Sequence, residues 1–297
     1  LTSKRVFITG ATGLIGNAIA DRFRDGGQII LSARSEHHSS NFPYIPFNLN
    51  NLDGISTLLD EHQPEVIVHT AAIGSVDFAE MHQEEAQRLN VDATDRIAQW
   101  CRKNSARLIH FSTDFVFDGT RLDWRETDAT APLSWYGKTK VYSEQRVQRV
   151  LEDHVIIRPI LVYGTAARAR RLNFPLLVSA KLTAGEVMQI TQDQIRTPTF
   201  VDDVAWAVQQ LIDHPFKGIL HLGGPESIDV YAFAQLTAEA FGLDASLLRP
   251  IDTDSANQTG KRPMKSGFDL SLAEQVLGFR PTAPRDALAK MNETLMN

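Results

Sequence analysis

The 297-residue sequence predicts an α/β protein: a doubly wound parallel sheet carrying a smaller mixed α/β cap. Three observations carry that expectation. Short apolar runs alternate with longer helical patterns through the first half, a glycine-spaced turn follows the first run, and beyond residue 160 the rhythm loosens into mixed pieces.

The apolar runs are Val6–Thr9, Gln28–Leu31, Glu65–His69, Leu108–Phe111 and Val155–Arg158. They are too short for buried helices and are separated by helical patterns, so they read as parallel strands of successive βαβ units. Helices are expected from Asn17, from about Glu84 to Asn104, and from Gly137 to about Leu151 with Ser134 as N-cap. In the second of these, Leu89, Ala93, Ile97 and Cys101 recur at helical spacing and mark one buried face. After Arg158–Pro159 come a helix near Phe174–Ala184, a strand at Val187–Ile190 and a helix at Val201–Ile212. Further strands and helices fall at Ile219–Leu222, Val230–Phe241 and Leu270–Leu277. The division is 1–160 and 161–297, partly interleaved.

Composition narrows the function. A hydrophobic share of 43% and a charged share of 22% are those of a globular protein, and no apolar run is long enough to span a bilayer. The first apolar run begins at Arg5-Val6-Phe7-Ile8 with no basic or Arg-rich leader ahead of it, so the expectation is a cytoplasmic protein with no membrane partner. The formal charge of −6, and the lack of any stretch interleaving basic residues with aromatics, argue against nucleic acid. The densest basic run, Arg168–Arg171, is short and reads as a solvated loop or a contact for an anionic substrate. The single cysteine, Cys101, permits no internal disulfide, and neither His69 nor His110 has metal-like spacing to other ligands. No metal is expected, and both histidines read as core residues. His37 and His38 read as exposed.

Directly after the first strand stands Gly10-Ala11-Thr12-Gly13-Leu14-Ile15-Gly16, opening into a helix. Glycines let the chain turn tightly and approach a pyrophosphate, and a helix N-terminus offers N–H groups to the anion. Gly10, Thr12, Gly13, Leu14, Ile15 and Gly16 are therefore candidate cofactor contacts in a Rossmann-type fold. The spacing is G-x-x-G-x-x-G, not the G-x-G-x-x-G of the standard Rossmann dehydrogenases. A carboxylate at the end of the second strand would bind an adenine ribose hydroxyl; Ser32-Ala33-Arg34-Ser35 stands there instead. Arg34 can pair with a 2′-phosphate, with Ser32 and Ser35 adding hydroxyls, so NADP(H) is favoured over NAD(H).

Tyr136 and Lys140 lie four apart at the start of a helix and share a face. An ammonium beside a phenol is expected to lower its pKa and fit it for proton exchange with a carbonyl oxygen. Phe111-Ser112-Thr113-Asp114 begins where a strand ends, the end at which open α/β sheets bind ligands. Thr113 is the first choice for holding a substrate carbonyl, with Ser112 its close competitor. Asp114 and Phe115 are candidate substrate contacts, and Asp118 reads as a loop cap.

With these motifs the chain resembles the extended short-chain dehydrogenases/reductases, and within them the dTDP-4-dehydrorhamnose reductase family. The resemblance rests on Gly10–Gly16, Ser112-Thr113-Asp114 with Val116-Phe117-Asp118-Gly119, and Tyr136-Gly137-Lys138-Thr139-Lys140 followed by Glu144. It continues through Arg158–Gly164, Asn173-Phe174 and Arg262-Pro263 with Ser266 and Asp269. It implies a catalytic Tyr136, Lys140 and Thr113, with Lys140 also on the nicotinamide ribose. It places Asn48 and Leu49 near the adenine, Ala71 and Ala72 along the cofactor, and Asn90 in support of the site. Asn173, Arg196 and Arg262 become substrate contacts, and the implied substrate is a nucleotide-linked 4-keto-6-deoxy sugar. Residues 1–160 would bind NADP(H) and residues 161–297 the substrate. Phe115 stands where a sugar dehydratase would carry a glutamate, which argues against dehydration. A nucleotide-sugar epimerase and a non-catalytic NADP-binding subunit like that of methionine adenosyltransferase stay open as alternatives. Related proteins pair through the helices at Glu84–Asn104 and Gly137–Leu151, so the sequence allows a homodimer.

Overall fold

The computed structural model describes residues 2–24, 26–34, 42–165 and 172–296. Ser35, His37, His38 and Arg168–Arg171 lie outside them. In chain order the strands are β1 Arg5–Thr9, β2 Gln28–Ala33, β3 Tyr44–Pro46, β4 Val66–His69, β5 Arg107–Phe111 and β6 His154–Pro159. They continue as β7 Met188–Thr191, β8 Ile195–Arg196, β9 Gly218–Leu222, β10 Ile228–Asp229, β11 Leu248–Ile251 and β12 Lys265–Ser266. The helices are α1 Leu14–Asp21, α2 Gly54–His62, α3 Val76–Met81, α4 Gln83–Gln87, α5 Ala93–Asn104 and α6 Trp135–Val150. Then come α7 Phe174–Thr183, α8 Val201–Leu211, α9 Val230–Phe241, α10 Ser271–Leu277 and α11 Pro284–Met296.

Seven strands form one parallel sheet in the order β3-β2-β1-β4-β5-β6-β9. Both faces are covered, and alternation along each strand shows how. Val6, Ile8, Val66, Val68, Ile109 and Ile157 pack against α1 and α8. Phe7, Ile67, Leu108 and Ile156 point the other way, into α2, α5 and Cys101. A sheet buried on both sides needs apolar residues at successive positions, which is why its strands read as continuous apolar runs. The expected face of Ala93, Ile97 and Cys101 is buried, and burial pushes the Cys101 thiol pKa up.

The sheet draws on the later part of the chain: β9 pairs with β6, and α8 packs beside α1. The cap consists of a β10-β8-β12 sheet, a β11-β7 pair and α7, α9 and α11 around two apolar clusters, while α10 packs beside β9.

Two elements differ from expectation. β2 runs on to Ala33, because Leu31, Ser32 and Ala33 pair with Tyr44, Ile45 and Pro46 of β3, an edge strand that ends on a proline. The helix expected from Glu84 to Asn104 is interrupted by a π-helical turn at Arg88–Asp92. Such turns displace side chains from the regular α-helical register and concentrate at functional sites. This one carries Asn90.

Candidate active site

The sheet order reverses between β1 and β4, and the chain segments leaving these strands diverge there to leave a crevice. The glycine turn sits at this point. Gly10 has φ +68°, and a Cβ on it would stand 2.7 Å from the Ala71 nitrogen and from Thr70 Oγ1. Thr70 in turn donates to the Thr9 carbonyl at 2.7 Å, which ties the β4 exit to the turn. Gly13 caps α1 without a side-chain hydrogen bond, so no side chain competes for the N–H groups of the first turn at Leu14, Ile15 and Gly16. These residues fit a dinucleotide pyrophosphate, which requires close backbone and uncapped amides. Ser32 is buried, and Arg34 is exposed just past the end of β2. Asn48 is exposed beside buried Leu49, with its Oδ1 accepting from the Asn50 N–H at 3.1 Å.

On the next strands the structure brings Thr113, Tyr136 and Lys140 together. Ser134 caps α6 as expected, accepting from the Gly137 N–H at 3.2 Å. Gly137 lets α6 approach the turn after Thr113, since a Cβ there would collide with the Phe115 carbonyl. The Phe115 ring meets Tyr136 edge-on at 5.8 Å. Tyr136 is half-buried and Lys140 fully buried.

The electrostatics correct one expectation. Burial outweighs the lowering expected from Lys140: it raises Tyr136 to about 12, while Thr113 acts to lower it and the nearby Asp114 to raise it. Burial also lowers Lys140 to about 8, with Glu144 acting to raise it. Desolvation disfavours the charged form of each group and is the largest influence on both.

Of the two hydroxyls that competed for the carbonyl, Thr113 is the one beside Tyr136. Ser112 turns the other way and donates to Glu144 Oε1. Glu144 accepts from Arg158 at both oxygens, Nε to Oε1 at 2.9 Å and Nη2 to Oε2 at 2.6 Å. Arg158 Nη1 also meets His221 Nε2 at 3.2 Å. Asn90 belongs to the framework rather than to a cofactor contact: Oδ1 accepts from the Ile73 N–H at 2.8 Å, and Nδ2 donates to the Ile73 carbonyl and to Thr139 Oγ1. It thereby pins the segment after Ala71 and Ala72 to α6.

Asp114, Phe115, Arg196 and Arg262 line a cavity of about 290 Å³ between the β5 exit and the cap, with apolar walls from Phe174 and Ile190. Burial raises the Asp114 carboxyl, while Arg196, Ser266 and Thr113 pull it back. Arg196 faces the cavity, but its terminal nitrogens already donate to Ile195 O, Met264 O, Gln194 Oε1 and Pro263 O, at 2.6 to 3.3 Å. Those bonds tie β8 to the segment before β12. Arg262 pairs bidentately with Asp77, Nη1 to Oδ1 at 3.1 Å and Nη2 to Oδ2 at 2.7 Å. Asn173 leads into α7 and donates to the Gly164 carbonyl at 2.7 Å. Asp118 accepts from Thr120, as a loop cap does.

His69 and His110 are core residues, stacked at 5.4 Å. Thr94 donates to the Asn90 carbonyl, so His69 Nε2–H donates to Thr94, and Nδ1 accepts from Thr9 at 2.7 Å. Burial and then Lys140 lower His69 to about 3 and His110 well below its ordinary value, and burial does the same to His221. Unfolded, each returns to about 6.5. Below that pH the unfolded chain binds protons that the fold refuses, so stability falls from about pH 6.5 toward about 3. Urea midpoints at about pH 7.5 and about pH 5 should show a marked drop at the lower pH; equal midpoints would contradict the neutral assignment.

A dinucleotide turn at the switch point and a Thr–Tyr–Lys group at the neighbouring strand ends define the class of extended short-chain dehydrogenases/reductases. The RmlD substrate binding domain family matches residues 4–297, and the chain belongs to it. It is 34% identical over 289 residues to methionine adenosyltransferase 2 subunit beta from Bos taurus, covering 96% of this chain and 85% of that one. It is 31% identical to the probable low-salt glycan biosynthesis reductase Agl14 from Haloferax volcanii, covering 96% of each. A dTDP-4-dehydrorhamnose reductase structure from Clostridium acetobutylicum superposes with a TM-score of 0.85 at 25% identity, covering 98% and 99%. MoeE5, solved with UDP-glucuronic acid and NAD, gives 0.84 at 26%, covering 98% of each chain. No helix among the described residues is long and apolar enough to cross a membrane.

Proposed function

We propose that the protein is an NADPH-dependent reductase of a nucleotide-linked 4-keto-6-deoxy sugar. The observation that carries this reading is the placement of Tyr136 beside Thr113, Phe115 and Asp114, the last two at the wall of the cavity, with Lys140 one helical turn away. The half formed by residues 1–160 holds the cofactor, at Gly10–Gly16, Arg34, Ala71 and Ala72, and residues 161–297 supply most of the substrate cavity. When bound, the nicotinamide supplies the hydride. Thr113 orients the carbonyl oxygen, Tyr136 gives that oxygen its proton, and the Lys140 ammonium stabilises the phenolate left behind. The apolar walls at Phe174 and Ile190 exclude water from the carbonyl.

The test is NADPH consumption by purified protein against a panel of nucleotide-linked 4-keto-6-deoxy sugars. Turnover of one of them is the expected result. NADPH binding without turnover of any would favour the second reading, a non-catalytic NADP-binding subunit, to which the 34% identity with methionine adenosyltransferase 2 subunit beta lends weight.

Arg34 supports NADP(H) over NAD(H). One lost charge-assisted contact to the 2′-phosphate is worth about 1.5–3 kcal/mol, so Arg34→Ala should weaken NADPH by roughly 10- to 100-fold and NADH by less than about threefold. Equal losses in a fluorescence titration would remove Arg34 from cofactor choice.

A further inference from the structure

Ser112, Glu144, Arg158 and His221 form a buried chain that the proton-transfer chemistry does not use, yet its Ser112–Glu144 end adjoins that chemistry. Ser112 is the residue before Thr113. Glu144 lies on α6 one turn beyond Lys140, which is itself one turn beyond Tyr136. All four members of the chain are at least 95% buried. Every contact within it is specific: Ser112 to Glu144 Oε1, the two-point grip of Arg158 on the carboxylate, and His221 behind the guanidinium. His221 is itself held, its Nδ1 donating to the Trp124 carbonyl at 3.1 Å, so Nε2 is the nitrogen that accepts from Arg158. The Arg158 guanidinium also lies 5.2 Å from the centre of the Phe117 ring, which stacks on Trp124. The carboxylate is thus immobilised from β6 and β9, and it joins the β5 exit to α6.

A pair whose only task were to stabilise the fold would need no third partner at the catalytic corner. We infer that Glu144 is a positioning residue: through Ser112 it fixes Thr113 against Tyr136, and through its charge it keeps Lys140 an ammonium. The inference rests on the reductase reading of Tyr136. Several titratable groups belong to the elements around Lys140. Tyr136 and Glu144 share its helix; His69 and His110 approach from β4 and β5, and Arg158 from β6. The histidines are neutral, so Glu144 is the negative charge that opposes the cost of burying the ammonium.

Two isosteric or smaller replacements separate the roles. Glu144→Gln keeps the shape and removes the charge. NADPH affinity, followed by fluorescence across a pH range bracketing the Lys140 value of about 8, should lose its ammonium contribution at a pH lower by about half a unit or more than in the parent. Ser112→Ala should leave that midpoint in place, leave NADPH affinity and KM unchanged, and reduce kcat by about tenfold or more, because only the Thr113 geometry has moved. An unmoved midpoint in Glu144→Gln, or a parental kcat in Ser112→Ala, would overturn the inference. If the parent turns over no keto sugar, the reductase reading fails, while the Glu144→Gln midpoint still decides the charge role. If Glu144→Gln does not fold, the kcat of Ser112→Ala decides.

Discussion

Replacing Tyr136 by phenylalanine is expected to lower turnover by roughly two to four orders of magnitude while NADPH affinity stays within about threefold. The substitution removes one oxygen. The ring keeps its edge contact with Phe115, and α6 keeps its Ser134 cap and its tie to Asn90 through Thr139, so the framework survives. What is lost is the proton donor beside Thr113. The pKa of Tyr136, about 12, gives this prediction a particular form. With the phenol protonated throughout the working range, the parent should show no limb from its own ionisation near neutrality. A decline in turnover near pH 8 would instead belong to Lys140, whose depressed value is about 8. Steady-state rates with NADPH and a keto sugar, taken across that range, test both points. An unchanged rate in Tyr136→Phe would remove this residue from the chemistry, and an equal collapse of cofactor affinity would mean the damage was structural.

Arg158→Met should destabilise the protein by about 3–5 kcal/mol, the usual cost of leaving one member of a buried ion pair without its partner. Arg158 is 2% exposed and Glu144 3%, so water cannot take over the role of the guanidinium. Removing it strands the carboxylate, left with the Ser112 hydroxyl alone, and the acceptor nitrogen of His221 at once. The melting temperature should fall by about 10 °C. Arg158→Met/Glu144→Leu should recover much of that loss, because replacing both partners with apolar groups of similar volume can be nearly neutral. Thermal unfolding of the single and double variants measures the difference. Equal stability of Arg158→Met and the parent would show that the pair contributes nothing net. A double variant as unstable as the single one would place the cost in lost packing against Phe117 rather than in the stranded charge.

Much of this molecule was readable from the chain. The five apolar runs form strands of the large sheet because each must be buried on both faces, and that need appears as local composition. The Gly10 turn and the Tyr136–Lys140 pair follow from spacing alone, since φ +68° at Gly10 and a helix N-terminus at Ser134 are properties of a few consecutive residues. The direction of the Tyr136 pKa was misjudged for the opposite reason: charge proximity is visible in a helix register, whereas desolvation depends on everything else packed around the site.

Contacts across the fold settled the rest. Ser112 and Thr113 are neighbours of similar chemistry, and only the placement of Glu144 on α6 assigns one to the framework and the other to Tyr136. Arg196 and Asn90 are held by partners remote in sequence, their donors bonded to Pro263, Met264, Ile73 and Thr139. The edge strand β3 exists because β2 offers it a register, and Arg158 meets His221 because β9 crosses back to pair with β6. A periodicity or a turn is written into adjacent residues. A buried hydrogen bond between residues far apart in sequence is not, because its partner is chosen by the topology that brings two distant segments together.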